Sequence, residues 1–152
     1  MITSSSNSKI KHVCQLVTKA KARRTEQLFV VEGIRMAKEL LKEVYVSTSF
    51  LQKKEQSKLL ETLSVPYEEV SDDIFAKMSD TVTPQGVLCV LRQPSYDLDE
   101  LLGRDGTFLV PEDIQDPGNL GTMLRTGEGA GITAVIMSKK TADLFNPKTI
   151  RS

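Results

Sequence analysis

The sequence predicts an α/β protein in two pieces: a layered α/β domain over residues 1–92, and the opening of a second α/β domain over 107–152. Three observations predict it. Apolar runs of strand length alternate with amphipathic stretches of helical period up to Leu91. Residues 93–106 then break the alternation with Pro and Gly signals and only a small Leu98, Leu101, Leu102 cluster, which reads as a linker with at most one helical turn. After it, Phe108-Leu109-Val110 begins a new strand, turn, helix and strand series.

In chain order, Ser8 can cap a helix whose Ile10, Val13, Leu16, Val17 and Ala20 form one apolar stripe. Leu28 to Val31 reads as the first strand, and Glu32-Gly33 turns into a helix with Ile34, Ala37, Leu40 and Leu41 on one side. Val44-Tyr45-Val46 is a second strand and Phe50 to Leu63 a long helix. Tyr67 to Val70 gives a third strand. Ser71 caps a short helix, Asp72 to Met78, with acids in its first turn where the helix dipole favours them. Gly86 to Leu91 is the fourth strand.

Composition narrows the function classes. No apolar run is long enough to span a membrane, no secretory signal opens the chain, and a cytoplasmic setting is the expectation. Cys14 and Cys89 are far apart and His12 is the single histidine, which argues against a zinc site or a disulfide framework. His12 has no acid beside it in sequence and reads as a surface residue. The formal net charge is zero, but its distribution is uneven. Residues 1–24 hold Lys9, Lys11, Lys19, Lys21, Arg23 and Arg24 with no acid, so this arm is +6 on a −6 remainder. A basic arm on an acidic body is a footprint of polyanion contact, and neutralised phosphates would supply affinity without reading sequence. Lys9, Lys11, Lys21, Arg23 and Arg24 are the candidate polyanion contacts; a solvated helix face is the other reading.

The most informative stretch runs from Asp116 through Pro117-Gly118-Asn119-Leu120-Gly121 to Thr126. Pro117-Gly118 makes a turn, and Asn119 can cap the helix that follows. Leu120, Met123, Leu124 and Gly127 fall on one stripe, which leaves Arg125 off it with Glu128 three residues later. Ligands collect at such carboxyl ends of strands in parallel α/β folds. Gly127-x-Gly129-x-Gly131 is no dinucleotide loop, because it ends a helix and precedes the strand Ala134 to Ser138; C-capping explains it better. There is no P-loop and no nucleophile elbow. Glu112, Asp113 and Asp116, clustered in one loop, read as solvating acids rather than metal ligands.

Asp116-Pro117-Gly118-Asn119-Leu120-Gly121-Thr122, with Leu124-Arg125-Thr126, is followed by an apolar strand and then by Asp143, Phe145-Asn146-Pro147-Lys148 and Arg151-Ser152. This order resembles the first conserved block of the SpoU (TrmH-like) RNA 2′-O-ribose methyltransferases of the SPOUT superfamily, over residues 108–152. Phe29-Val30-Val31-Glu32-Gly33-x-Arg35 and Thr83-Pro84-Gln85-Gly86-Val87 are similar to the family's N-terminal substrate-binding domain, itself similar to ribosomal proteins that grip kinked RNA. The resemblance implies an S-adenosylmethionine-dependent methyltransferase acting on rRNA or tRNA, with the homodimer formed through the methyltransferase domain. It implies that the cofactor blocks and the C-terminal knot lie beyond Ser152, so that the 152 residues are an N-terminal, inactive portion. It places Asn119 and Arg125 at the catalytic face, Glu128 in support and Arg151 near the RNA phosphate. Arg35 either pairs with Glu32 or projects to RNA, and Gln85-Gly86 passes close either to a ligand or to the domain's own core. A guanidinium stays protonated in proteins, so Arg125 is better read as a donor to developing oxyanion charge or an adjacent phosphate than as a base. The alternative function is a non-catalytic RNA-binding module.

Overall fold

A computed structural model of the chain describes residues 1–33, 38–61 and 66–152. They divide into two units, Met1–Gln93 and Pro94–Ser152.

In the first unit, α1 (Ser8–Thr18) and α2 (Ala20–Glu26) lead into β1 (Leu28–Glu32). A 3₁₀ turn, Lys38–Leu40, precedes β2 (Leu41–Ser47); then come α3 (Thr48–Leu51), α4 (Lys54–Glu61), β3 (Glu68–Val70), α5 (Asp72–Met78) and β4 (Val87–Arg92). The sheet order is β1-β4-β2-β3, with β4 antiparallel to both neighbours and β2 parallel to β3. Ile2 adds a parallel bridge to Val70 outside β3. Because β4 is central, Val87 to Leu91 are all buried, which is why it reads as an unbroken apolar run. Ile10, Val13 and Leu16 of α1 and Ile74, Phe75 and Met78 of α5 close one core over Leu28, Val30, Tyr45, Val70, Leu88 and Val90. Each such aliphatic or aromatic side chain stabilises the fold by about 1.5–3 kcal/mol on burial.

Several element expectations change: Ala20, expected in the first helix, opens α2, and the strands expected over 108–110 and 134–138 are each two residues long. Asn7, not Ser8, caps α1, its side chain accepting from the Lys9 N–H at 2.9 Å. The helix expected through Leu41 falls partly on residues 34–37, outside the described residues. Leu41 itself opens β2 opposite Leu91, since pairing with the central strand outweighs local helical spacing. The helix expected from Phe50 to Leu63 is two short ones, α3 held by the Ser47 hydroxyl on the Phe50 N–H (3.3 Å) and a polar α4; Leu63 lies outside the described residues.

Gln93 closes the first unit: its N–H donates to Gln27 O (2.8 Å), and its side-chain amide to Arg23 O (3.0 Å) and Leu28 O (3.1 Å). The second unit contains α6 (Leu98–Leu102), β5 (Phe108–Leu109), α7 (Pro117–Gly129), β6 (Ala134–Val135) and α8 (Pro147–Arg151). β5 and β6 are parallel, with α7 as the connection. A parallel pair needs cover on both faces. Here Leu120 and Pro111 are the buried apolar side chains among the described residues of the unit, while Leu98, Leu102, Val110 and Ile150 are exposed. No described helix is long and apolar enough to cross a membrane.

Candidate functional site

The loop after β5 sets up α7. Pro117 has no N–H and takes the first helical position, so the cap falls one residue earlier, on Asp116, whose Oδ1 accepts from the Asn119 N–H at 2.8 Å. Asn119 is therefore not the cap the sequence suggested: it sits in the first turn with an exposed side chain that makes no hydrogen bond among the described residues. The far end of α7 closes with Gly131 at φ +75°. The Gly131 N–H donates to Glu128 O (3.0 Å) and the Ile132 N–H to Gly127 O (2.9 Å), a Schellman cap. The glycine triplet is thus helix punctuation.

The second motif builds α8 in the same way. Asn146 accepts from the Lys148 N–H (2.9 Å), Asp143 from the Phe145 N–H (3.0 Å), and Thr149, itself buried, donates to Asp143 O (3.0 Å). Lys148 Nζ stands 3.8 Å from Asp116 Oδ2, tying the α8 start to the α7 cap. Asp113 accepts from Ser138 Oγ (2.9 Å) and lies 3.9 Å from Lys140. Asp113 and Asp116 are therefore occupied in holding loops together, and no group of three or more metal-binding side chains occurs among the described residues.

Where α7 and α8 meet, Gly121, Leu124, Arg125, Glu128, Leu144, Thr149, Ile150 and Ser152 line a cleft of about 300 Å³. Arg125 is exposed there and has no hydrogen bond or ion pair among the described residues. Leu120 and Gly127 are buried and Met123 and Leu124 half-buried, as the stripe predicts. Glu128 shares the cleft with Arg125 without an ion pair to it. Arg151 is exposed on α8. Asn119 does not line this cleft; six residues before Arg125, it lies roughly 120° around the helix.

In the first unit the basic arm is only partly available. Lys11, Lys21 and Arg24 are exposed. Lys9 is paired with Glu68, whose hydrogen bond and charge raise the lysine pKa. Arg23 is a correction: 2% exposed, it donates to Leu16 O (2.7 Å) and Val17 O (3.0 Å), closing the carboxyl end of α1 rather than facing a ligand. His12, expected without an acid, pairs with Glu26 of α2. Arg35 lies outside the described residues, and with it the Glu32–Arg35 pair. Glu32 instead accepts from Ser79 Oγ (2.6 Å), Thr81 Oγ1 (3.0 Å) and the Gln85 N–H, so the two N-terminal motifs converge on one carboxylate. Gly86 approaches the unit's own core: a Cβ there would stand 2.8 Å from Ser47 Oγ and 2.9 Å from Phe50 Cβ.

A groove that sequence reading missed is lined by Lys9, Lys42, Glu43, Val44, Tyr45, Pro66, Tyr67 and Glu68. The Tyr45 hydroxyl donates to Glu43 (2.6 Å), and burial, followed by that carboxylate, raises its pKa. Only the fold shows this groove, since it joins the start of α1 to the starts of β2 and β3.

Residues 7–89 match the family model described as MRM3-like substrate binding domain. Over 99% of its length the chain is 38% identical to the Bacillus subtilis 23S rRNA (guanosine(2553)-2'-O)-methyltransferase RlmP, of which it spans 59%. It is 27% identical to the human mitochondrial rRNA methyltransferase 3 over 95% of its length, spanning 36% of that protein. Among solved structures, an RNA 2'-O ribose methyltransferase superposes at TM-score 0.77 and 29% identity, covering 99% of this chain and 59% of the other. An AdoMet-bound rRNA methyltransferase from Sinorhizobium meliloti shares the fold at TM-score 0.79 and 24% identity, covering 99% of this chain and 58% of the other.

Proposed function

The chain belongs to the MRM3-like substrate-binding domain family, and from that premise we propose that its parent protein transfers a methyl group from S-adenosylmethionine to a ribose 2′-hydroxyl of ribosomal RNA. The chain spans 59% of the Bacillus subtilis relative, so the activity proposed is that of the whole protein, as are the homodimer and the cytoplasmic setting. The first unit is the RNA-holding part, with Lys11, Lys21 and Arg24 as phosphate contacts and Arg35 as a further candidate. The second unit supplies the acceptor side of the reaction.

One observation carries the reading: Arg125 stands open in the cleft where the two motif-bearing helices meet. A guanidinium there can donate to a 2′-oxygen as charge develops on it, or clamp the neighbouring phosphate with its planar fork. Glu128, one turn on in the same cleft and not paired with Arg125 in the free chain, is the carboxylate that would orient that fork once RNA is bound; Arg151 steers the phosphate. Asn119, released from capping by Asp116, contributes from the mouth of α7 rather than from the same face as Arg125. S-adenosylmethionine supplies the methyl group. The cleft is at the bottom of the ~300–1,000 Å³ range of sites enclosing a drug-sized ligand, and it has no aromatic lining. Its residues therefore do not fit a complete cofactor pocket, and no cofactor contact is assigned to them.

Incubating the native gene product with labelled S-adenosylmethionine and ribosomal RNA, then digesting to nucleosides, tests the reading. A labelled 2′-O-methyl nucleoside is expected. Label on a base, or none at all, sinks the assignment.

A further inference from the structure

We propose that the groove between the first turn of α1 and the starts of β2 and β3 is a single-base subsite that takes an unstacked guanine of the RNA, stacked on Tyr67. This rests on RNA being the partner of the first unit. The groove holds about 230 Å³, less than sites that enclose a whole ligand, so it suits one ring of a longer molecule. Tyr67 is 46% exposed at its rim beside Pro66, and an exposed aromatic face is what single-stranded bases stack on.

The polar groups select the ring. Glu43 has one carboxylate oxygen occupied by the Tyr45 hydroxyl (2.6 Å), and Glu68 has one occupied by Lys9. The remaining oxygen of each has no partner among the described residues. Lys42 is exposed on the same wall. Two lysines and two glutamates leave the groove without net charge, which does not suit a bare phosphate. They do suit a neutral ring that presents donors beside an acceptor. Guanine offers a ring N–H and an amino group to carboxylate oxygens, and a carbonyl to a lysine. Adenine lacks the carbonyl, uracil the amine and cytosine the ring N–H. The exposed Lys11, two residues along α1 from Lys9 and so roughly 200° around the helix, lies outside the groove and serves as a phosphate contact of the wider RNA path.

Fluorescence anisotropy of the full 152-residue chain, with uridine heptamers bearing a central guanosine, a central inosine or no replacement, tests this. The guanosine heptamer is expected to bind tightest, with inosine, which lacks the amino group, roughly tenfold weaker. Tyr67→Ala should weaken the guanosine heptamer roughly 5- to 100-fold, down to the all-uridine level, while Tyr67→Phe keeps the preference. Lys11→Ala should weaken all three alike and flatten the salt dependence. If Tyr67→Ala leaves the guanosine heptamer unchanged while Lys11→Ala weakens it, the subsite is wrong and the RNA reading stands. If the wild-type chain binds no heptamer at low salt, both fall.

Discussion

A Cβ placed on Gly121 would stand 2.5 Å from the carbonyl oxygen of Thr149, and 2.6 Å from Ser152 Cβ. The seat of α8 on α7, and hence the cleft around Arg125, exists because this position carries no side chain. The sequence signal was a glycine four residues before an arginine. The physical reason is an approach of one helix to another's backbone that no other residue permits.

Two helix glycines should therefore answer oppositely to alanine. Gly129 has nothing within 4 Å of a Cβ, so Gly129→Ala gains helix propensity alone, about 0.5–1 kcal/mol. Gly121→Ala gains the same propensity but drives a methyl into a carbonyl oxygen, and overpacking of that kind costs about 1–3 kcal/mol. Thermal melts of the two variants should move up for Gly129→Ala and down for Gly121→Ala. An upward shift for Gly121→Ala would mean that α8 is not seated there.

Arg23 and Arg24 are neighbours in sequence and should behave as different kinds of residue. Arg23→Ala leaves a buried and a part-buried carbonyl of α1 without this donor and removes a buried side chain, so a loss of about 3 kcal/mol is expected in urea unfolding. Arg24→Ala should stay within about 0.5 kcal/mol of wild type. In RNA titrations the pattern reverses: Arg24→Ala should lower the salt slope by about one phosphate contact. A stable, weakly binding Arg23→Ala variant would return Arg23 to the RNA-contacting face.

Legibility in the sequence followed contact range. Periodicity of 3.6 found α1 and α7, the Ser71 start and first-turn acids found α5, and the apolar run found β4, because burial and helix-end chemistry write themselves into neighbouring residues. What failed were choices made at a distance. Leu41 satisfies a helical stripe but pairs with Leu91 fifty residues away. Arg23 looks like part of a basic run but points at the carbonyls of the preceding helix. At the candidate site the residues were readable and their division of labour was not: Pro117 moves the cap from Asn119 to Asp116, a local rule that the motif's resemblance obscured.

Asp72 should give the first unit an acid-sensitive contribution. The Ser49 N–H, 3.1 Å from its Oδ1, and the Ser49 hydroxyl hold its carboxyl below the usual range. A depressed folded-state pKa stabilises at pH values above the unfolded value of about 3.9, and that contribution is lost as pH falls through the folded value. Asp72 is almost fully solvated, so the effect is small. Comparing urea midpoints of wild type and Asp72→Asn at pH 7 and at pH 3 should show the difference at pH 7 shrinking at pH 3. A difference that does not shrink would show that Asp72 acts without its charge.

Arg125 should matter to turnover and not to folding. It is exposed, off the stripe that buries Leu120 and Gly127, and without a hydrogen bond or ion pair among the described residues. Arg125→Ala should therefore change stability by about 0.5 kcal/mol or less. Losing a preorganised donor to developing oxyanion charge typically lowers turnover roughly 10²- to 10³-fold. Arg125→Lys separates the roles. Lysine keeps the charge but loses the planar fork, so a phosphate clamp should suffer nearly as much as with alanine. A point-charge role should be largely rescued, and a general base should gain, because a neutral amine is easier to reach than a neutral guanidine. The measurements are single-turnover methylation rates of the native protein carrying each substitution, with melting temperatures alongside. A wild-type rate for Arg125→Ala would make this an ordinary surface arginine and remove the centre of the proposed site.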